Sequence, residues 1–195
     1  MKKSVILASG SPRRRELLTM LFDEFEVIVS DCEETVTCQD PEKVTEELAL
    51  QKAEAVRENL PRYTDSVIVI GADTVVSIDG KILGKPADQQ QAVDMLRMLS
   101  GKSHHVSTGV ALIGMDAGVQ TWIKSFSETT VVTVAELTEE EINSYVNTSE
   151  PYDKAGAYGI QGMFGKHIQG IEGDYNNVVG LPVHRLYQEL KDFLN

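Results

Sequence analysis

Apolar positions recur along this chain with two periods, and the two alternate. Residues 5–8 form a short continuous apolar run, read as a buried strand, and Ser9-Gly10-Ser11-Pro12 turns the chain out of it. Leu17, Leu18 and Leu21 then follow at helical spacing, and residues 25–29 read as a second strand. Asp40-Pro41 opens a long helix, aspartate as cap and proline in the first turn, that runs to about Asn59, before Pro61. Residues 67–70 are β-branched throughout, as expected of a central strand, and 75–78 follow as another. Asp79-Gly80 is a hairpin turn into residues 81–83. Asp88 caps a helix carrying Ala92, Met95, Leu96 and Leu99 that Gly101 ends.

Residues 105–113 and 122–134 alternate as two long strands, with Gly114 and Gly118 between them. Thr138-Glu139-Glu140-Glu141 is a capping box, a sufficient reason for that acidic run. A glycine-rich segment fills 149–180, and a terminal helix runs from Leu181-Pro182 through Leu186, Leu190 and Phe193. Strands and helices interleave, with hairpins among them. The pattern predicts an α/β fold of one domain over residues 1–195, a mixed twisted sheet flanked by helices.

Composition adds bounds. The chain has 195 residues with 42% hydrophobic and 25% charged, ordinary for a globular domain. It holds two cysteines, Cys32 and Cys38, with no second pair or nearby histidine to complete a zinc tetrad, so reduced cytosolic thiols are expected. The apolar run after Met-Lys-Lys is too short for a signal peptide, and no stretch approaches a spanning helix of roughly 18 apolar residues. A cytoplasmic protein with no membrane partner is expected. The net charge of −12 argues against nucleic-acid binding, which needs a basic footprint. It does not exclude a small anion, because charges beyond roughly 8 Å are largely screened at physiological salt.

Five constellations carry candidate chemistry. In Ser9-Gly10-Ser11-Pro12-Arg13-Arg14-Arg15, arginines crowd the first turn of a helix, where the dipole disfavours cations. A bound phosphate chain would explain them, and so would a solvated basic helix start; the Walker spacing is absent. Asp73, in Gly71-Ala72-Asp73-Thr74, stands at the end of the most apolar run, where a carboxylate is costly unless paired or metal-bound. A turn cap is the plainer alternative. Lys52 interrupts the inward row Val44, Leu48, Val56 of the long helix, either snorkelling or aimed into a site, and Lys85 in Gly84-Lys85-Pro86 is similar. Glu33-Glu34 is either a solvated edge or, with Asp73, a pair able to hold Mg²⁺. In the run 150–162 the glycines permit close approach to a ligand, and Gln161 can read a base edge. His104 and His105 read as structural.

Together these segments resemble the Maf family of nucleotide pyrophosphatases. The matching pieces are Ala8 to Arg14, Leu48-Ala49 to Lys52-Ala53, Gly71 to Thr74, Gly84 to Pro86, Ser100-Gly101 with His104, Glu150 to Gly162 and Tyr175 to Pro182, in the family's order along nearly the whole chain. The resemblance implies a deep cleft in a fold similar to inosine triphosphatases, a divalent metal cofactor (Mg²⁺ or Mn²⁺), and a house-cleaning enzyme that cleaves nucleoside triphosphates between the α and β phosphates. It implies Asp73 as proton acceptor and metal ligand with Glu34, and Lys52 and Lys85 as catalytic cations. Ser9, Arg13, Arg14, Thr74 and Gln161 are implied as substrate contacts. Arg13, Thr74 and Gln161 match positions tied to substrate choice, and the motif forms are similar to the dTTP/UTP branch rather than the 7-methyl-GTP branch. A nucleotide-binding regulator of septum formation with little catalysis is the alternative it leaves, and a homodimer is compatible with it.

Overall fold

The structure is a computed structural model that describes residues 4–60 and 66–194. The opening Met-Lys-Lys, Pro61 and the side chain of Phe193 lie outside the described residues. In chain order the elements are β1 (Ser4–Ala8), α1 (Pro12–Leu18), β2 (Glu26–Val27), α2 (Pro41–Glu58), β3 (Val67–Ile78), β4 (Lys81–Leu83) and α3 (Gln89–Leu99). There follow β5 (Ser103–Asp116), β6 (Val119–Val134), α4 (Glu139–Val146), β7 (Ile168–Glu172), α5 (Tyr175–Val179) and α6 (Val183–Leu194). The sheet runs β2-β1-β3-β5-β6-β7, with β4 also paired to β3. β1 is parallel to β2 and β3, and the other pairs are antiparallel, so the sheet is mixed as the element pattern predicts.

The helix starts follow from their caps. Asp40 Oδ1 accepts from the Glu42 amide at 3.0 Å, Asp88 Oδ1 from the Gln91 amide at 2.8 Å, and Thr138 and Glu141 form the reciprocal box. Strand alternation then divides the core. Ile6, Ala8, Val67, Val69, Ala111 and Ile113 face α2, while Val5, Leu7, Ile68, Ile70 and Leu112 face α1 and α6. A third cluster joins α3, α4 and the 155–168 segment to the far end of β3.

α2 lies unusually close to the sheet because two glycines give it room. A Cβ on Gly71 would stand 2.1 Å from the Ala49 carbonyl oxygen, and one on Gly109 would stand 2.3 Å from the Thr45 carbonyl oxygen. That approach sets Lys52, one turn beyond Ala49, over the middle of β3.

Two elements differ from the sequence reading. Residues 67–70 and 75–78 are one strand: Asp73 pairs in register with Gly109, and β5 carries β3 straight through the expected turn. The relevant ending belongs to β1, which pairs with β3 only as far as Gly71, whereas β4 joins β3 only from Val76. Between them β3 has a free edge at 72–75, so Asp73 stands at a strand's end after all, that of its neighbour. The other difference lies in the glycine-rich segment, which contains short 3-10 turns, β7 and α5. β2 is also only two residues long, both exposed.

Candidate active site

The gap on the edge of β3 opens into a cleft. Its walls come from the start of α1, from Lys52 of α2, from β3, from the Lys85 loop, from residues 153–162 and from the end of α5. Two bonds tie these walls together. The Gly156 amide donates to the Gly84 carbonyl at 3.1 Å, and Arg13 Nη1 meets Asp153 Oδ2 at 3.1 Å.

Successive β3 side chains alternate, so Asp73 faces α2 and Thr74 faces α1. The Lys52 ammonium contacts Asp73 Oδ1 and lies 3.0 Å from Glu34 Oε1. The Lys52 and Asp73 side chains are 17% and 14% exposed and Glu34 is 48% exposed, so the triad runs from the cleft floor to solvent. Glu33 forms no ion pair among the described residues, which separates the two adjacent glutamates. Asp73 Oδ2 has no protein donor among the described residues.

Arg14 is held from three sides. Its Nε donates to the Gly180 carbonyl at 2.8 Å, Nη1 to Ser9 Oγ at 3.4 Å and Nη2 to Thr74 Oγ1 at 2.9 Å. One N–H on each terminal nitrogen remains for a ligand. Burial lowers the guanidinium's pKa, Asp73 pushes it up, Arg13 lowers it and Glu34 raises it. Beyond Arg14 the polarity of the hydroxyl chain is fixed by its ends. Thr108 Oγ1 donates to the Asn177 carbonyl at 3.0 Å, so it accepts from Thr74, which itself accepts from Arg14. The Thr74 proton is therefore committed inward, and Thr74 can offer a ligand only a lone pair.

Of the nine residues picked from the sequence, seven line this one cleft: Arg13, Arg14, Lys52, Asp73, Thr74, Lys85 and Gln161. Glu34 joins them through Lys52. Ser9 is buried behind Arg14, accepting from Arg14 and from the Ser11 amide, and it does not line the cleft. Lys85 has no ion pair and the Gln161 amide no hydrogen-bond partner among the described residues, so both are available to a ligand.

Sequence reasoning missed Lys154. Its ammonium donates to the Glu150 carbonyl at 2.6 Å and to Asp153 at 2.5 Å, and its stem packs where a Cβ on Gly159 would sit. Burial raises the Asp153 carboxyl, but the hydrogen bonds from Lys154 and Arg13 outweigh it and hold it below its usual range. The signal was present: Lys154 is the sole cation of the run 150–162. His104 is structural, as expected. It is buried against the Tyr158 hydroxyl at 2.6 Å, and burial, then neighbouring His105, lowers its pKa to about 4. Cys32 and Cys38 are free thiols.

Among the described residues no three His, Cys, Asp or Glu side chains converge on one point. Glu34 and Asp73 nevertheless meet at the Lys52 ammonium, which shows that the floor is built to hold positive charge with carboxylate oxygens. Two carboxylates suit Mg²⁺ or Mn²⁺, which fill their remaining positions with water and phosphate oxygens. Among the described residues no helix is long and apolar enough to cross a membrane.

The family model described as Maf-like protein matches residues 4–193. A dTTP/UTP pyrophosphatase of Agathobacter rectalis is 50% identical over 96% of both chains. One of Bacillus thuringiensis subsp. konkukian is 53% identical over 98% of this chain and 96% of its own. The solved structure of a HAM1 protein from Coxiella burnetii has a TM-score of 0.50 at 14% identity, covering 98% of this chain and 100% of that one, a likeness of fold.

Proposed function

Because the chain belongs to the Maf family, we propose that it hydrolyses dTTP and UTP to the monophosphate and pyrophosphate in the cleft around Asp73. The observation that carries the reading is the convergence of Glu34, Lys52 and Asp73 on a cleft floor that Arg13, Arg14, Lys85 and Lys154 surround. Relatives named for dTTP and UTP support the substrate. They also count against a regulator of septum formation with little catalysis.

A triphosphate carries more negative charge than this acidic chain would attract at long range, so its binding depends on cations close at hand. Arg14 offers the fork left by its internal bonds, and Arg13 exchanges Asp153 for a phosphate oxygen. Lys85 supplies a third contact. Asp73 takes a proton from water as the water oxygen bonds to the α phosphorus. The bond from that phosphorus to the bridging oxygen breaks, and pyrophosphate leaves with the electron pair. Lys52, in contact with Asp73 Oδ1, orients the carboxylate for that transfer. Glu34 and Asp73 would hold the divalent cation, which when bound neutralises phosphate charge as a Lewis acid. Such electrostatic stabilisation is the main resource of phosphoryl chemistry.

Gln161 stands at the exposed rim with its amide free, and in this reading it contacts the base. Gln161→Ala is expected to lower kcat/KM for dTTP and UTP by about tenfold, the scale of one lost hydrogen bond, while changing 7-methyl-GTP little. Competition kinetics across the three nucleotides checks this. An unchanged ranking would remove Gln161 from base recognition.

A further inference from the structure

We propose that Gln51 is a positioning residue, which fixes the carboxylate of Glu34 beside Lys52 and Asp73 by clamping the backbone of the next residue. The inference rests on the reading of Glu34 and Asp73 as the pair that holds a divalent cation.

Glu34 lies on a strap, residues 28–40, that has no regular secondary structure and is mostly exposed. Such a segment does not by itself place a side chain to within the fraction of an ångström that metal coordination needs. The strap is docked on α2 at two points. The Thr35 amide donates to Gln51 Oε1 at 3.0 Å, and Gln51 Nε2 donates back to the Thr35 carbonyl at 2.6 Å. Further along, the Thr37 amide and hydroxyl donate to the two oxygens of Glu47 at 3.0 and 2.5 Å.

The spacing of the two docks is commensurate. Two residues of extended chain advance about 6.6 Å. Four residues of helix advance about 6.0 Å. The strap therefore runs antiparallel to α2, Thr35 opposite Gln51 and Thr37 opposite Glu47. The amide of Gln51 satisfies both backbone groups of Thr35 in the manner of a neighbouring strand. A primary amide can do this because it carries a donor and an acceptor side by side, whereas an ionised carboxylate only accepts. Gln51 is followed directly by Lys52, the residue Glu34 reaches. The helix thus fixes both ends of the glutamate, its backbone through Gln51 and its carboxylate through Lys52. Glu47 holds the strap farther from the site and has no such relation to Glu34.

The test is Mn²⁺ binding, followed by the resonance signal of free Mn²⁺, in the presence of the non-hydrolysable analogue α,β-imido-dUTP. Four variants are compared with the parent chain: Gln51→Ala, Gln51→Glu, Glu34→Gln and the double variant Glu34→Gln/Gln51→Ala. Gln51→Glu keeps the shape but sets an acceptor against the Thr35 carbonyl, so it carries the test if Gln51→Ala does not fold. Both Gln51 variants are expected to bind Mn²⁺ about tenfold more weakly, the lower end of the range for loss of a group that orients a ligand. Glu34→Gln is expected to lose at least as much, and adding Gln51→Ala to it should cost nothing further. Unchanged Mn²⁺ affinity in both Gln51 variants, or additive losses in the double variant, would overturn the inference. If Glu34→Gln itself binds Mn²⁺ like the parent, the reading of Glu34 as a ligand falls and the inference falls with it. If only the Gln51 variants bind like the parent, the inference falls alone.

Discussion

Asp73→Asn is expected to lower kcat for dTTP by about 10³-fold, within the span of roughly 10²–10⁴ for loss of a positioned general base. The substitution keeps the shape and the oxygen that faces Lys52, and removes the basicity and the charge. Lys52 retains Glu34 as a partner at 3.0 Å, so the ammonium is not left unpaired. The β3 to β5 register at Asp73 and Gly109 depends on backbone bonds alone. Thermal unfolding should therefore move by no more than about 4 °C, the shift that 1 kcal/mol produces in a domain of this size. KM is expected to change much less than kcat, because Arg13, Arg14 and Lys85 still bind the phosphates. Steady-state kinetics beside a melting curve checks both halves. Near-normal turnover in the folded variant would remove Asp73 from the chemistry.

Gly71→Ala is expected to destabilise this chain strongly. The new Cβ would stand 2.1 Å from the Ala49 carbonyl oxygen and 3.0 Å from the Ala53 amide nitrogen. These are helix backbone atoms, which cannot swing aside as the end of a flexible side chain can. α2 must move off the sheet as a body. Overpacking of this kind costs about 3 kcal/mol, the upper part of its usual range. The melting temperature should fall by about 6–12 °C. The same displacement carries Lys52 away from Asp73 and Gln51 away from Thr35, so kcat should fall although no cleft residue is altered. Melting curves and kinetics on the purified variant measure this, and a parental melting temperature would show that α2 does not sit where the glycines place it.

The parts of the fold legible in the sequence were those whose cause is local. Asp40, Asp88 and Thr138 cap helices by bonds to amides two or three residues ahead, and the neighbouring residues suffice to read them. Lys52 stood out because α2 otherwise presents apolar residues in its row, and it is the residue at the cleft floor. What the sequence hid were effects of neighbours distant along the chain. The 71–74 segment could be read as a turn capped by Asp73, yet Gly71 gives room for the close passage of α2, and pairing with β5 keeps the strand extended. β7 has one half-buried residue followed by four exposed ones, so it has no alternation to detect and exists because β6 offers an edge. The 150–163 segment is held by single bonds, such as Glu150 Oε2 to the Met163 amide at 2.9 Å and the Tyr152 hydroxyl to the Val146 carbonyl at 2.7 Å. Bonds of that kind leave no periodic trace. The setting of Ser9 was hidden for a related reason: the motif puts it beside the arginines, and only the path of Arg14 toward Gly180 shows that it supports the guanidinium from behind.

The most direct test of the central claim is hydrolysis of dTTP in heavy-oxygen water with Mg²⁺ or Mn²⁺, followed by mass analysis of both products. Attack on the α phosphorus by water activated at Asp73 predicts the heavy oxygen in dTMP and none in pyrophosphate. Heavy oxygen in pyrophosphate, or release of orthophosphate in place of pyrophosphate, would contradict the account and move the attack to another phosphorus.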